Sequence, residues 1–324
     1  MQHEKMHLCE AIAEQFEGFE QKLSIIQVYK AMKKGHFPKR NQRYIGFATD
    51  SSRWDHFTSR DDDIFICTPC KCGTTWTQAI CALLIFKDPE HKKQPAMISP
   101  WIDAHLMPVE AMNAMLDAQN HRRFLKTHTP FDGINYYPGS TYILVYRDPR
   151  DVYFSLRNHI ENMNIDVQSE WLTDDVSESF RNWVLAPNVV GASELFTLSE
   201  MVHHYRSFLR FKHLPNIHFF HFSDFKRNLV AQMKRMADIL NIEVESELIE
   251  RLAASADFDS MRNNASQYVP ASGMQVWKSE KQFFNRGDTY KHSDLTLQDI
   301  GLYNKLIAQL IDKDNIEWLE SGYT

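Results

Sequence analysis

Ile64-Phe-Ile-Cys-Thr-Pro-Cys-Lys-Cys-Gly-Thr-Thr-Trp-Thr-Gln-Ala-Ile80 decides the fold of this chain. The apolar run Ile64 to Cys67 has acids before it and Pro69 after it, the pattern of a short buried strand. Lys71, Cys72 and Gly73 make a tight turn, and Thr74 to Phe86 reads as an almost wholly apolar helix. Strand, glycine turn and helix N-terminus together form an anion cradle, because unpaired backbone N–H groups and the helix dipole face the same point. Lys71 adds a cation there, Thr74 and Thr75 add hydroxyls, and no acid stands between Pro69 and Phe86. The alternative for this stretch alone is a strand–helix turn with a solvated lysine.

A nucleoside-triphosphate loop needs G-x-x-x-x-G-K-[ST], with the lysine after the last glycine. Here Lys71 precedes the glycine and the loop is shorter. Thr68-Pro-Cys-Lys-Cys-Gly-Thr-Thr-Trp76 instead resembles the 5′-phosphosulfate loop of the soluble sulfotransferases, T-Y-P-K-S-G-T-T-W. That resemblance implies that Lys71, Cys72, Gly73, Thr74, Thr75 and Trp76 hold the 5′ side of 3′-phosphoadenylyl sulfate (PAPS), whose product is PAP. Cys70 and Cys72 replace the family's proline and serine; cysteine keeps the amide but is a weaker side-chain donor.

Length and composition fit one large α/β domain: 324 residues, 43% hydrophobic. A net charge of −6 gives no general attraction to nucleic acid, so an anion site has to be a local basic pocket. No apolar run reaches membrane-span length, and the start lacks a signal-peptide pattern, so a cytoplasmic protein is expected. Five cysteines, four of them between Cys67 and Cys81, are not a secreted disulfide framework. No second Cys/His pair stands at zinc-ligand spacing, so no metal is expected, and Cys67 reads as core. Apolar residues spaced by three or four predict helix from Met1 to about Lys34, giving a helical extension over 1–44 and a single domain over 45–324. The basic run Gly35 to Arg43 reads as a solvated linker.

A second strand ends at Lys126-Thr-His-Thr-Pro130. Lys126 and His128 are two residues apart, so an extended backbone points both the same way, at a strand end where parallel α/β sheets bind ligands. The lysine's charge should keep the imidazole neutral at pH 7. K-T-H-x-P is similar to the sulfotransferase segment with the catalytic histidine, which implies His128 as general base and Lys126 on the transferring group.

Tyr142 to Tyr146 is a third strand, apolar throughout as a central parallel strand should be. Asp148 fits an N-cap and Pro149 the first helical position of a helix to about Asn162, leaving Arg147 at a strand end, able to fork onto a phosphate or to pair with Asp148 or Asp151. Spacing does not place Ser155. The segment resembles the family's 3′-phosphate motif, which implies that Arg147 and Ser155 hold that phosphate.

The order of these elements predicts an α/β fold with a central, mostly parallel sheet flanked by helices; the resemblance makes it the P-loop-like sulfotransferase fold. Asn216 to Phe222 is another strand, followed by a helix to about Leu240 capped by Ser223 or Asp224. A helix over Ser199 to Phe211 carries His203 and His204, read as surface or interface histidines. By resemblance, Phe222, Phe258 and Met261 line the adenine site, and Arg286 with Gly287 forms the 3′-phosphate lid, with Asn285 as a one-residue alternative to Arg286. Met97, Trp101, Met107, Met112 and Met115 either line an apolar acceptor pocket or are ordinary core or lid packing, and residues 161–200 belong to the acceptor side. The family's dimer signature is not intact around Lys291 to Ile300, and the oligomeric state stays open.

These readings converge on sulfonate transfer from PAPS to the hydroxyl of a small or lipid-like acceptor, with motifs most similar to a bacterial branch that includes glycolipid sulfotransferases. The rivals are a P-loop-type small-molecule kinase and a sulfonucleotide-binding protein with decayed catalysis.

Overall fold

In the computed structural model, residues 38–91, 94–165, 169–284, 287 and 294–323 are described. The expected N-terminal helix up to Lys34 and the lid residues Asn285 and Arg286 lie outside them.

Alternation within one four-residue strand divides the core into two layers. Strand β1 (Ile64–Cys67) has no exposed residue. Ile64 and Ile66 join one apolar cluster and Phe65 and Cys67 a second, as the two-residue period of a strand requires. Helix α1 (Thr74–Phe86) follows β1, and β2 (Phe124–Thr127) and β3 (Thr141–Tyr146) complete the centre. Then come α2 (Pro149–Glu161), α3 (Leu198–Leu209), β4 (Ile217–His221), α4 (Leu229–Ile239) and α5 (Ser246–Ser255). The first cluster seats Ile80 and Leu84 of α1, Met233 and Met236 of α4 and Leu252 of α5 against the sheet. The second seats Trp54, Met112, Tyr205 and Phe208. A sheet covered on both faces has no water-facing side, so its strands carry no polar alternation.

The four strands are all parallel, in the order β2–β1–β3–β4. Register places Cys67 beside Thr127 on one side and Leu144 on the other. The chain leaves β1 for a neighbour on one side and later returns to the other, so a crevice opens between the carboxyl ends of β1 and β3. Residues that follow these strands, Lys71, His128 and Arg147, are thereby gathered at one edge. Pro100 to Ile102 runs along the outer side of β2, with Lys126 N donating to Pro100 O (3.0 Å) and Ile102 N to Lys126 O (3.1 Å).

Asp148 caps α2 as expected, its carboxylate accepting from Arg150 N, with Pro149 in the first turn. The single helix expected after β4 is instead two, Phe222–Arg227 and α4, broken at Asn228. Asn228 leaves helical geometry (φ −154°, ψ 84°) and caps α4 by accepting from Ala231 N, while His221, not Ser223 or Asp224, caps the first piece. The basic run is not merely solvated: Arg40 pairs with Asp55 and Arg43 with Asp50.

At the opposite end of the sheet, Asp63 and Arg123, the residues just before β1 and β2, form a buried two-pronged ion pair (2.7 and 2.5 Å). Asp63 has no exposure and Arg123 only 2%. Asp63 also accepts from Arg60 N and Ser59 Oγ. Such a pair fixes where both strands begin, and removing one partner leaves a buried charge uncompensated. Asp63→Ala should lower unfolding free energy by about 3–5 kcal/mol in urea titrations, whereas Asp61→Ala, at an exposed position, should leave the midpoint unchanged. Equal effects of the two would remove this role.

Candidate active site

Backbone conformation builds the first wall. Lys71 (φ +65°) and Gly73 (φ +106°) both lie in the left-handed region, so the chain reverses tightly between β1 and α1. For lysine this costs on the order of 1 kcal/mol, a strain kept where the site demands it. A Cβ on Gly73 would stand 3.2 Å from the Phe222 ring in a backbone conformation that side chains disfavour. The bond from Thr77 N to Gly73 O (2.9 Å) is the first of α1, so the amides of Thr74, Thr75 and Trp76 precede the helical ladder. Thr68 and Thr74 close the turn through their hydroxyls (2.6 Å).

Gly73, Thr74, Thr75, Trp76 and Lys71 line one cavity of about 760 Å³, and so do Lys126, His128, Arg147, Ser155, Phe222, Phe258, Met261 and Gly287. Of the nominated residues within the described set, Cys72 alone is not on its wall. Its thiol, with no exposure, sits in the cluster of Val152 and Tyr153, and burial pushes it up to about 12. Its amide donates to Pro69 O (3.4 Å). The two left-handed residues flanking Cys72 turn it inward.

The second wall is the end of β2. His128 Nδ1 lies 2.6 Å from Thr68 O; a carbonyl only accepts, so Nδ1 carries the proton and Nε2 keeps its lone pair. Burial foremost, then the charges of Lys126 and Lys71, holds the imidazole down at about 3, against the opposing pull of the Thr68 bond. Trp101 stands edge-on to His128 (4.9 Å), and Lys126 Nζ lies over its indole (4.8 Å). Burial also lowers Lys126. Asp103, fully buried, accepts from the hydroxyls of Thr127 and Thr129 (2.5 Å each), the residues on either side of His128. That clamp sets the imidazole's position, and nothing in local sequence spacing announces it.

The third wall is the end of β3 with α2. Arg147 is buried against Asp151 (3.6 Å), with its guanidinium 4.3 Å from the Phe222 ring centre. The turn of α2 carries Ser155 to the same cavity, resolving what spacing left open. Phe222 meets Trp76 edge-on (5.3 Å), and Trp76 donates to Ala256 O (2.8 Å). Gly287 has to be glycine: φ is +64°, and a Cβ there would fall 2.3 Å from the Phe258 ring.

Two groups of lining residues were missed or misread. His159, on α2, lies within 2.9 Å of Lys71 Nζ and against Trp277 (4.9 Å) and Phe283 (5.7 Å). Its position four residues after Ser155, on the same helical face, was the available signal. His204 is not a surface histidine: it is 2% exposed, bonded to the Tyr146 hydroxyl (2.9 Å). With His128 and Glu200 it lines a small, mostly apolar chamber beside the main cavity, where burial pushes the Glu200 carboxyl up to about 7. His203 is half-buried and meets the Tyr44 hydroxyl (2.8 Å). Trp101, Met107 and Met112 face the main cavity, whereas Met97 is exposed. Among the described residues no group of three or more His, Cys, Asp or Glu stands together in a way that could hold a metal ion.

Known proteins resemble this chain in sequence and in fold. Residues 61–314 match the family model described as "Sulfotransferase domain". A protein of Mycobacterium bovis named glycolipid sulfotransferase is 33% identical over 309 residues, covering 86% of this chain and 94% of its own. One of Mycobacterium tuberculosis with the same name is 33% identical over 308 residues, with the same coverage. Among solved structures, a mouse sulfotransferase complexed with PAP superposes with a TM-score of 0.65 at 19% identity, over 83% of this chain and 92% of that one. Retinol dehydratase in complex with androsterone and PAP gives 0.66 at 18% identity, over 82% and 87%.

The pKa of His128 makes a direct prediction. An ordinary imidazole is half-protonated near pH 6.5, but this one should stay neutral down to pH 5, so its NMR signals should show no midpoint between pH 5 and 8. Because the unfolded ring binds its proton near 6.5 and the folded one near 3, falling pH removes stability through that window. Lys126→Gln should move the midpoint upward. A wild-type midpoint near 6.5 would mean a solvated ring.

Proposed function

This chain belongs to the sulfotransferase family, and on that premise we propose that Lys71, Lys126 and His128 carry sulfonate from PAPS to the hydroxyl of a lipid-like acceptor. The observation that carries the reading is one cavity bounded by the Gly73 turn, the His128 strand end and Arg147. The residues present suit the nucleotide. Arg147 and Ser155 offer a cation and a hydroxyl for its 3′-phosphate, the α1 amides face its 5′ side, and Trp76, Phe222 and Phe258 supply aromatic faces for the purine.

PAPS supplies the sulfonate and a phosphate as leaving group. His128 Nε2, held toward the cavity by the Thr68 bond, takes the proton of the acceptor hydroxyl. Lys71 and the amides of Thr74 and Thr75 meet the charge left on the departing phosphate oxygen, and Lys126 faces the transferring group. Positioning and electrostatics carry the rate, without a protein nucleophile. A kinase is disfavoured, because the loop lacks the G-K-[ST] of a nucleoside-triphosphate site.

The rest of the cavity points to the acceptor. Phe47, Leu106, Ile165 and Met274 line it and are still 66%, 74%, 48% and 73% exposed, so its mouth is apolar. Met107, Met163, Val276 and Trp277 continue that surface inward. A hydroxyl on a long apolar body suits such a channel, and the name of the mycobacterial relatives supports the same class.

In a radiolabelled PAPS assay over alcohols of rising chain length, kcat/KM should climb by roughly fourfold per methylene while the chain stays inside, from about 0.8 kcal/mol each. A flat response would reject the lipid-like acceptor. His128→Ala should lower kcat by about 10²–10⁴ with PAP affinity nearly unchanged; full turnover in that variant would exclude His128 as base.

A further inference from the structure

One close contact in the cavity has no part in the mechanism above. Lys71 Nζ lies 2.9 Å from His159 Nδ1. An ammonium only donates, so Nδ1 is the acceptor and the ring proton sits on Nε2. His159 is therefore in the opposite tautomer to His128. Its ring packs against Trp277 and Phe283, which also meet each other (5.1 Å), and Phe283 lies under Lys71 Nζ at 4.8 Å. Residues 275–279 are in turn tied to the C-terminal end of α2: Asn164 N donates to Val276 O (2.9 Å), Lys278 N to Asn162 O (2.8 Å) and Asn162 Nδ2 to Ser279 O (2.9 Å). The imidazole thus has little room to turn.

We propose that His159 is a positioning residue that holds the Lys71 ammonium at the 5′-phosphate side of the nucleotide site. The inference rests on the sulfonate-transfer reading, which puts Lys71 at the leaving group. A lysine has four side-chain torsions and, here, a strained backbone; an acceptor at a fixed place narrows the positions its charge can take. A neutral acceptor suits the task better than a carboxylate, which would cancel the charge the departing phosphate needs. Burial first, then Lys71, Lys126 and His128, drive His159 well below its ordinary range and keep that lone pair available. Tying the same ring to Trp277 and Phe283 also links the lysine's position to a segment that lines the cavity.

The test uses calorimetry with two nucleotides, PAP and adenosine 3′-phosphate, which lacks the 5′-phosphate. His159→Phe keeps a flat ring and removes the acceptor; His159→Gln keeps an acceptor. For His159→Phe, PAP should bind about tenfold more weakly, the size of one charge-assisted hydrogen bond, with adenosine 3′-phosphate changed less than about twofold. His159→Gln should recover most of the loss. In a Lys71→Met background, His159→Phe should add nothing further. Equal weakening of both nucleotides, or the same added loss without Lys71, would make His159 a structural residue and overturn the proposal. Should His159→Phe melt early, His159→Met is judged by the same criteria. Failure of the unaltered protein to bind PAP at all would instead overturn the sulfonate-transfer reading, and this inference with it.

Discussion

Three cations, Lys71, Lys126 and Arg147, face one partly buried cavity, and the rest of the site follows from keeping them there. Like charges in a medium of low dielectric repel, and each loses hydration. Arg147 is steadied by Asp151, Lys126 by the face of Trp101 and Lys71 by His159 with Phe283. For the two lysines these contacts are a ring face or a neutral lone pair, which steady an ammonium without cancelling its charge. On the proposed reading, an anion with two separated phosphates is the ligand that relieves this repulsion.

The sheet's strand order does the placing. With β1 central and its neighbours reached in opposite directions, the loops after β1, β2 and β3 converge, although their residues are far apart in sequence. The buried Asp63–Arg123 pair anchors the other end of the same strands. A buried ion pair thus stands at the amino ends and the candidate site at the carboxyl ends. Strain at Lys71 is tolerated because the Thr68–Thr74 hydroxyl pair and the α1 ladder fix both sides of the turn.

Much of this was legible because it is local. The strand–turn–helix of residues 64–86 is written in apolar run, proline and glycine, and the α2 start in Asp148-Pro149. What escaped depended on partners distant in sequence. Asp61, Asp62 and Asp63 are chemically identical, and only Arg123, sixty residues on, makes the third a buried anchor. Cys72 was read from its neighbours' chemistry, but its direction is set by their φ angles, which no motif prints. Base expectation puts His204 at the surface or an interface, while the inward face of α3 takes it to Tyr146. The break at Asn228 was invisible in a sequence whose apolar periodicity runs on through it.

Two imidazoles share the cleft, and hydrogen-bond direction separates their roles. Both are kept neutral by burial and by the same lysines, so charge state alone does not choose between them. The partner atoms do. A carbonyl at His128 Nδ1 forces the lone pair onto Nε2, at the cavity wall; an ammonium at His159 Nδ1 uses that nitrogen's lone pair and leaves a proton on the other. Only the first ring has a basic nitrogen to offer a hydroxyl. On the proposed reading, a proton abstracted here goes to His128, and His159 serves the reaction through the lysine it holds.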